Sequence, residues 1–151
     1  MAMIDFFHCG FTVTNIERTV DFYKNILGME LIVKGTNEGE TLGISLGLKE
    51  SKARIKVAFM KAGDTLVEFI EYVEPKSKPC PKDPSVAGSS HISFRVDDIN
   101  ETRKKLENAG VKFLSDVNVV EQGEFRGAKW CYFRDLDGIP MEIAEEIPRE
   151  K

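Results

Sequence analysis

Ser90-His91-Ile92-Ser93-Phe94-Arg95-Val96-Asp97-Asp98-Ile99 is the stretch from which the fold of this chain follows. It alternates like a strand and ends at a helix start. Near the N-terminus, Phe7-His8-Cys9-Gly10-Phe11-Thr12-Val13-Thr14-Asn15-Ile16 carries the same pattern. An offset of 83 residues pairs His8 with His91, Phe11 with Phe94, Val13 with Val96 and Ile16 with Ile99. The chain contains two histidines, and the offset superimposes one on the other.

The repeat continues outward. Both halves run through a helix to a glycine, Gly28 or Gly110, and the offset then becomes 82, pairing Leu31 with Phe113. Toward the end of each half it becomes 74, so that Phe59 meets Phe133, Glu68 meets Glu142 and Phe69 meets Ile143. Changing offsets mark insertions in connecting loops, where they are tolerated. Each half therefore opens on a strand with His and closes on a strand with Glu. A unit this long is a supersecondary module, not a solenoid repeat.

In module one, residues 4–13 read as a strand with Phe7, Cys9, Phe11 and Val13 toward a helix and His8 on the other face. Thr14-Asn15-Ile16-Glu17 is a capping-box pattern, and Ile16, Val20, Tyr23 and Leu27 form the buried stripe of the helix that follows. Gly28 suits the left-handed position that ends it. Residues 29–33, 42–48, 53–61 and 65–72 read as strands. Residues 73–89, with Pro75, Pro79, Pro81 and Pro84, have no periodicity and read as a linker. The competing reading is a flap over the site, offering Lys76, Lys78 or Lys82 to an anionic substrate. In module two, Asp98 is the expected N-cap with Glu101 three residues on, and the helix runs to Ala109. Strands are expected at 111–114, 117–121, 128–133 and 139–144. Met141 and Ile143 then face the helix and Glu142 faces the His91 side. The tail from Glu145 to Lys151 reads as exposed.

With 151 residues and 42% hydrophobic content, the chain can bury one proper core, read as a single domain (1–151) of module one (4–72), linker (73–89) and module two (90–146). A net charge of −4 argues against a nucleic-acid groove. Cys9, Cys80 and Cys131 have no zinc-type spacing and fit a reduced compartment. No apolar run reaches membrane-spanning length and no signal-peptide pattern is present, so a soluble cytoplasmic protein is expected.

An isolated His on a strand is more often a hydrogen-bonded residue than a ligand, and Arg95 could pair with either glutamate. Glu71, Glu145 and Glu146 are expected to be solvated. The duplication changes the weighing, because polar exceptions recur in register. If the modules pack about a pseudo-twofold axis, His8, Glu68, His91 and Glu142 form a two-nitrogen, two-oxygen set suited to a divalent ion such as Ni, Co, Mn, Fe or Zn. Trp130, Tyr132 and Phe125 are candidates to stack on a ligand.

The two His-to-Glu modules resemble the glyoxalase I/bleomycin-resistance/extradiol-dioxygenase superfamily, called vicinal oxygen chelate. The resemblance is carried by Phe22-Tyr23…Leu27-Gly28-Met29-Glu30-Leu31 and by Tyr132-Phe133-Arg134-Asp135-Leu136-Asp137-Gly138-Ile139-Pro140-Met141-Glu142-Ile143. It implies an α+β fold of two tandem βαβββ modules whose mixed sheets curl into a cup around one divalent metal, with His8, Glu68, His91 and Glu142 as ligands. The four-ligand set is most similar to lactoylglutathione lyase. That likeness implies a lyase or isomerase moving a proton through a metal-stabilised enediolate, with Glu68 and Glu142 as base candidates, a small-molecule substrate and a homodimer. Thr12 stands where that pattern carries a glutathione-contacting arginine, and Phe69 where it carries asparagine. The alternatives within the resemblance are an extradiol-type dioxygenase, an acyl-CoA epimerase and a metal-free ligand-sequestering protein.

Overall fold

The computed structural model describes residues 5–48, 52–79 and 83–147. The chain divides into two compact units, one ending at residue 80 and the other beginning at residue 81. The first contains β1 (Cys9–Val13), α1 (Ile16–Asn25), β2 (Glu30–Gly39), α2 (Glu40–Ser45), β3 (Ala53–Ala62) and β4 (Thr65–Glu74). The second contains β5 (Ile92–Arg95), α3 (Ile99–Asn108), β6 (Asn118–Val119), β7 (Lys129–Arg134) and β8 (Pro140–Glu145). Each unit forms one four-stranded mixed sheet, in the orders β1-β4-β3-β2 and β5-β8-β7-β6. In each, the first strand lies parallel to the last, and the remaining pairs are antiparallel. The parallel pairing requires a crossover, which the helix supplies. It also seats the histidine-bearing segment beside the glutamate-bearing strand.

One face of each sheet is covered by its helix. In the first unit Ile16, Val20 and Tyr23 of α1 are buried with Met60, Val67 and Phe69. The Tyr23 and Phe69 rings lie 4.4 Å apart. In the second unit Ile99 and Leu106 of α3 are buried, as are Cys131, Phe133, Met141 and Ile143 of the sheet. Complete burial of a side chain like Phe69 contributes about 1.5–3 kcal/mol. Met141 and Ile143 alternate with Glu142 as the strand period requires, so apolar packing sets the direction of the glutamate.

Several sequence expectations are corrected. Residues 42–48 are not a strand: Glu40–Ser45 form α2, capped at Leu46, whose N–H reaches the Leu42 carbonyl at 3.0 Å. β2 runs to Gly39 and pairs with β3 as far as Ala53, and β4 takes the other side of β3, so β3 has no free edge for another strand. Residues 111–114 contribute only an isolated bridge, Phe113 to Phe133, and β6 is two residues long. β1 starts at Cys9, and Phe7 is 73% exposed rather than core. Leu27 is half-buried and outside α1.

The helix starts repeat in detail. Asn15 caps α1, its side chain accepting from the Arg18 N–H at 3.0 Å, and Asp98 caps α3, accepting from the Glu101 N–H at 2.9 Å. The expected capping box is therefore not made, because the cap is Asn15 and not Thr14. Glu71 and Glu145, expected to be solvated, each accept the first helical N–H instead: Ile16 at 2.8 Å and Ile99 at 2.7 Å. The first turn of a helix leaves such donors without internal partners, and the last strand of each unit satisfies one. Arg95 pairs with Glu146 at 3.5 Å and not with Glu142. Of the expected linker lysines, Lys76 and Lys78 are exposed and Lys82 lies outside the described residues, as does the tail beyond Ile147. No described helix is long and apolar enough to cross a membrane.

Candidate metal centre

The strand registers bring each histidine to its glutamate. Gly10 lies opposite Glu68 and Ser93 opposite Glu142. His8 and His91 stand two residues before those positions, hence on the same face. His8 Nε2 is 3.4 Å from Glu68 Oε2, and His91 Nε2 is 3.4 Å from Glu142 Oε2. Two unrelated surface contacts would not repeat this atom for atom. The separation exceeds the usual N–H···O distance of about 2.9 Å. It suits two ligands of one ion: with bonds of about 2.1 Å, neighbouring donors stand about 3.0 Å apart at a right angle and about 3.4 Å at a tetrahedral one. The donors present fit a divalent transition ion, with imidazole nitrogen and carboxylate oxygen in each pair.

Among the described residues, no group of three or more His, Cys, Asp or Glu side chains comes together. What the structure assembles is one His–Glu pair in each unit. His8 Nδ1 is buried without a hydrogen-bond partner, its ring held edge-on by Phe7 at 4.9 Å and Phe59 at 5.2 Å. The two rings hold the imidazole with Nε2 toward Glu68.

The two pairs differ in their surroundings. Phe59 lies opposite Glu68, and Tyr132 lies opposite Glu142. Each aromatic ring meets its own histidine edge-on, His91 and Tyr132 at 5.4 Å. Tyr132, not Phe133, is thus the counterpart of Phe59: the offset along β3 and β7 is 73, one less than along β4 and β8. The closing turn accounts for the extra residue, since Ala62 pairs with Thr65 but Arg134 with Pro140. Tyr132 places a phenol, where Phe59 has a phenyl, opposite the Glu142 carboxylate. Burial, followed by the neighbouring Glu142 carboxylate, pushes the phenol up to about 12. Opposite Glu68 stands Gly10, where a Cβ would come within 3.3 Å of Glu68 Oε2. Glu142 therefore has a phenol across the ladder, whereas Glu68 is flanked by a phenyl ring and a bare backbone. Of the expected stacking aromatics, Trp130 meets Tyr132 edge-on at 5.6 Å, and Phe125 is 54% exposed.

Residues 5–143 match the family described as the Glyoxalase/Bleomycin resistance protein/Dioxygenase superfamily. The chain belongs to this superfamily. Among similar curated proteins, a 2-epi-5-epi-valiolone epimerase from Actinomyces sp is 25% identical over 140 residues, covering 90% of this chain and 76% of that protein. Metallothiol transferase FosB from Staphylococcus epidermidis is 26% identical over 139 residues, covering 90% and 79%. A glyoxalase family protein from Bacillus cereus has a similar structure, with a TM-score of 0.80 at 23% identity, covering 98% of this chain and 97% of that one. The fosfomycin resistance protein FosX from Listeria monocytogenes superimposes with a TM-score of 0.61 at 18% identity, covering 99% and 97%. At these identities the solved structures establish the glyoxalase-type fold alone. The epimerase and the metallothiol transferase are named for different reactions, so the superfamily does not by itself name the chemistry.

Proposed function

We propose that this chain is a divalent-metal-dependent isomerase that moves a proton at the carbon beside the carbonyl of a small α-oxygenated compound. The observation that carries the reading is the duplicated pair, histidine Nε2 and glutamate Oε2 3.4 Å apart in each unit. His8, Glu68, His91 and Glu142 are the residues that would hold one divalent ion (Ni, Co, Zn, Mn or Fe), which polarises a carbonyl when bound. Residues 1–151 are then one functional domain carrying both pairs.

The asymmetry between the pairs supports different roles for the two base candidates. The Tyr132 phenol lies opposite Glu142 and not Glu68, so we take Glu68 as the group that removes the proton and Glu142 as its partner carboxylate. Glu68 Oε2 has the bare Gly10 backbone and a phenyl ring beside it and no phenol, which supports it as the group that accepts the proton from the substrate carbon. Delivery of a proton to the same carbon from its other face, by Glu142 in its acid form while Glu68 keeps the proton it removed, gives an epimer. Return of the proton by Glu68 to the neighbouring carbon gives an isomer. The epimerase among the curated relatives supports the first outcome. Thr12 and Phe69, in place of an arginine and an asparagine, favour a substrate other than a glutathione adduct, so the reading is epimerase-like ahead of lactoylglutathione lyase.

The test is elemental analysis of the purified protein. It is followed by chelation, refilling with each of the five ions, and NMR measurement of deuterium uptake from D₂O at the carbon beside the carbonyl of 2-hydroxy ketones. About one ion per chain, lost in a folded His91→Ala variant, with exchange restored by refilling, is the expected result. Rescue by Fe²⁺ alone with consumption of oxygen would replace this reading with a dioxygenase. Absence of any bound divalent ion in the wild-type protein would end it.

A further inference from the structure

On the face of the second sheet that carries Glu142, a cavity of about 320 Å³ lies beside His91. Pocket volumes that hold small ligands begin at roughly 300 Å³. Its walls are Pro84, Leu114, Pro140 and the Tyr132 ring. Three of the polar groups that reach it bond to nearby backbone carbonyls. Ser89 Oγ donates to the Asp83 carbonyl at 3.2 Å, and Ser115 Oγ donates to the Asp116 carbonyl at 2.9 Å. Arg134 Nη1 donates to the Gly138 carbonyl in the β7–β8 turn at 2.7 Å. What remains toward the interior of the cavity is mostly hydrocarbon.

The segment from Asp83 to Ser90 builds one wall, and it is tied to itself. Asp83 Oδ1 accepts from the Ser85 N–H at 2.9 Å and from the Ser85 hydroxyl at 2.7 Å. The Ser89 N–H reaches the Val86 carbonyl at 2.9 Å. These bonds fix Pro84 and Ser90 at the cavity edge, next in sequence to His91. The stretch expected to be a plain connection therefore shapes the space beside a candidate ligand.

We propose that this cavity receives an uncharged apolar substituent of the substrate, and that the Asp83–Ser90 segment is its specificity-determining wall. The inference rests on the proposed function and narrows its substrate class to α-oxygenated carbonyl compounds bearing a short aliphatic or aromatic group. A phosphorylated or polyhydroxylated substituent would exchange water for hydrocarbon here and leave its polar atoms without partners.

The test uses the metal-free full chain and two probes, 2-hydroxyacetophenone and dihydroxyacetone, titrated while following the indole N–H resonance of Trp130, the single tryptophan. The phenyl-bearing probe is expected to bind at least ten-fold more tightly. Leu114→Asp, at a position 57% exposed and so tolerant of substitution, is expected to abolish that preference. Asp83→Ala, which unties the wall, is expected to reduce it several-fold. Equal binding of the two probes by the wild-type protein, or an undiminished preference in Leu114→Asp, overturns the inference. Neither readout needs metal or turnover, so a preserved preference without metal-dependent exchange would sink the proposed function alone. Metal-dependent exchange on dihydroxyacetone without any apolar preference would sink the cavity assignment alone.

Discussion

The Tyr132 phenol, opposite Glu142 and pushed up to about 12 by burial and then by that carboxylate, keeps its proton near neutrality. A group raised in the folded state contributes below its unfolded value and is lost only as the pH climbs through the folded one. Tyr132→Phe should therefore weaken divalent-ion affinity by about ten-fold, as loss of an outer-shell partner does, with no pH dependence near neutrality. Competition against a fluorescent chelator measures this, and an unchanged affinity would show that the hydroxyl does not position Glu142. Gly10→Ala tests the other carboxylate. Its Cβ would press on Glu68 Oε2 at 3.3 Å, so proton exchange at the substrate carbon should fall by more than ion affinity does. The histidines and glutamates themselves were legible in the sequence, because a repeat in register exposes polar exceptions on apolar strands. Tyr132 and Gly10 were not legible as partners of those glutamates. Their role depends on which residue lies across the ladder, and the one-residue difference in the β3–β4 and β7–β8 turns aligned Phe59 with Phe133 instead.

At the level of elements, the last strand of each unit does two jobs with alternate residues. Glu68 and Glu142 face the histidines, while Glu71 and Glu145 hold the helix starts through the Ile16 and Ile99 N–H groups. Glu145 also bonds Lys129 at 2.6 Å, and that contact, followed by the Ile99 N–H, keeps its carboxyl below the usual carboxylate range. A depressed carboxyl contributes stability above its unfolded value and loses it as the pH falls through the folded one. Glu145→Gln should thus cost about 1 kcal/mol at neutral pH, the typical value of a helix cap, and little in acid. Urea unfolding at two pH values reads the difference, and an equal loss at both would remove the charge from the explanation. Helices α1 and α3 were legible because a polar cap and a terminal glycine bracket each, although the cap of α1 is Asn15 and not Thr14. Residues 42–48 were not, since a short apolar run fits strand or helix equally until its pairing partner is known. Here β3 was already taken by the extended β2.

For the molecule as a whole, the repeat predicted two like units, and the matching strand orders β1-β4-β3-β2 and β5-β8-β7-β6 agree with it. Sequence could establish that much because duplication preserves the spacing of core residues while loops drift. It could not establish the reaction, because superfamily members share the scaffold and differ in the side chains around it. Ion stoichiometry tests the unity of the proposed centre. If His8, Glu68, His91 and Glu142 serve one ion, the wild-type chain takes one per chain and gains about 2.7 kcal/mol at a hundred-fold excess over Kd. His8→Ala and His91→Ala should then each erase that gain, since three ligands hold the ion far less well than four. If each pair served its own ion, the wild type would take two, and either variant would keep one with a smaller thermal shift. Calorimetric titration with Ni²⁺ or Zn²⁺, read beside the melting temperature of both variants, separates these outcomes. Two ions per wild-type chain would mean that the pairs, though repeated, do not act together.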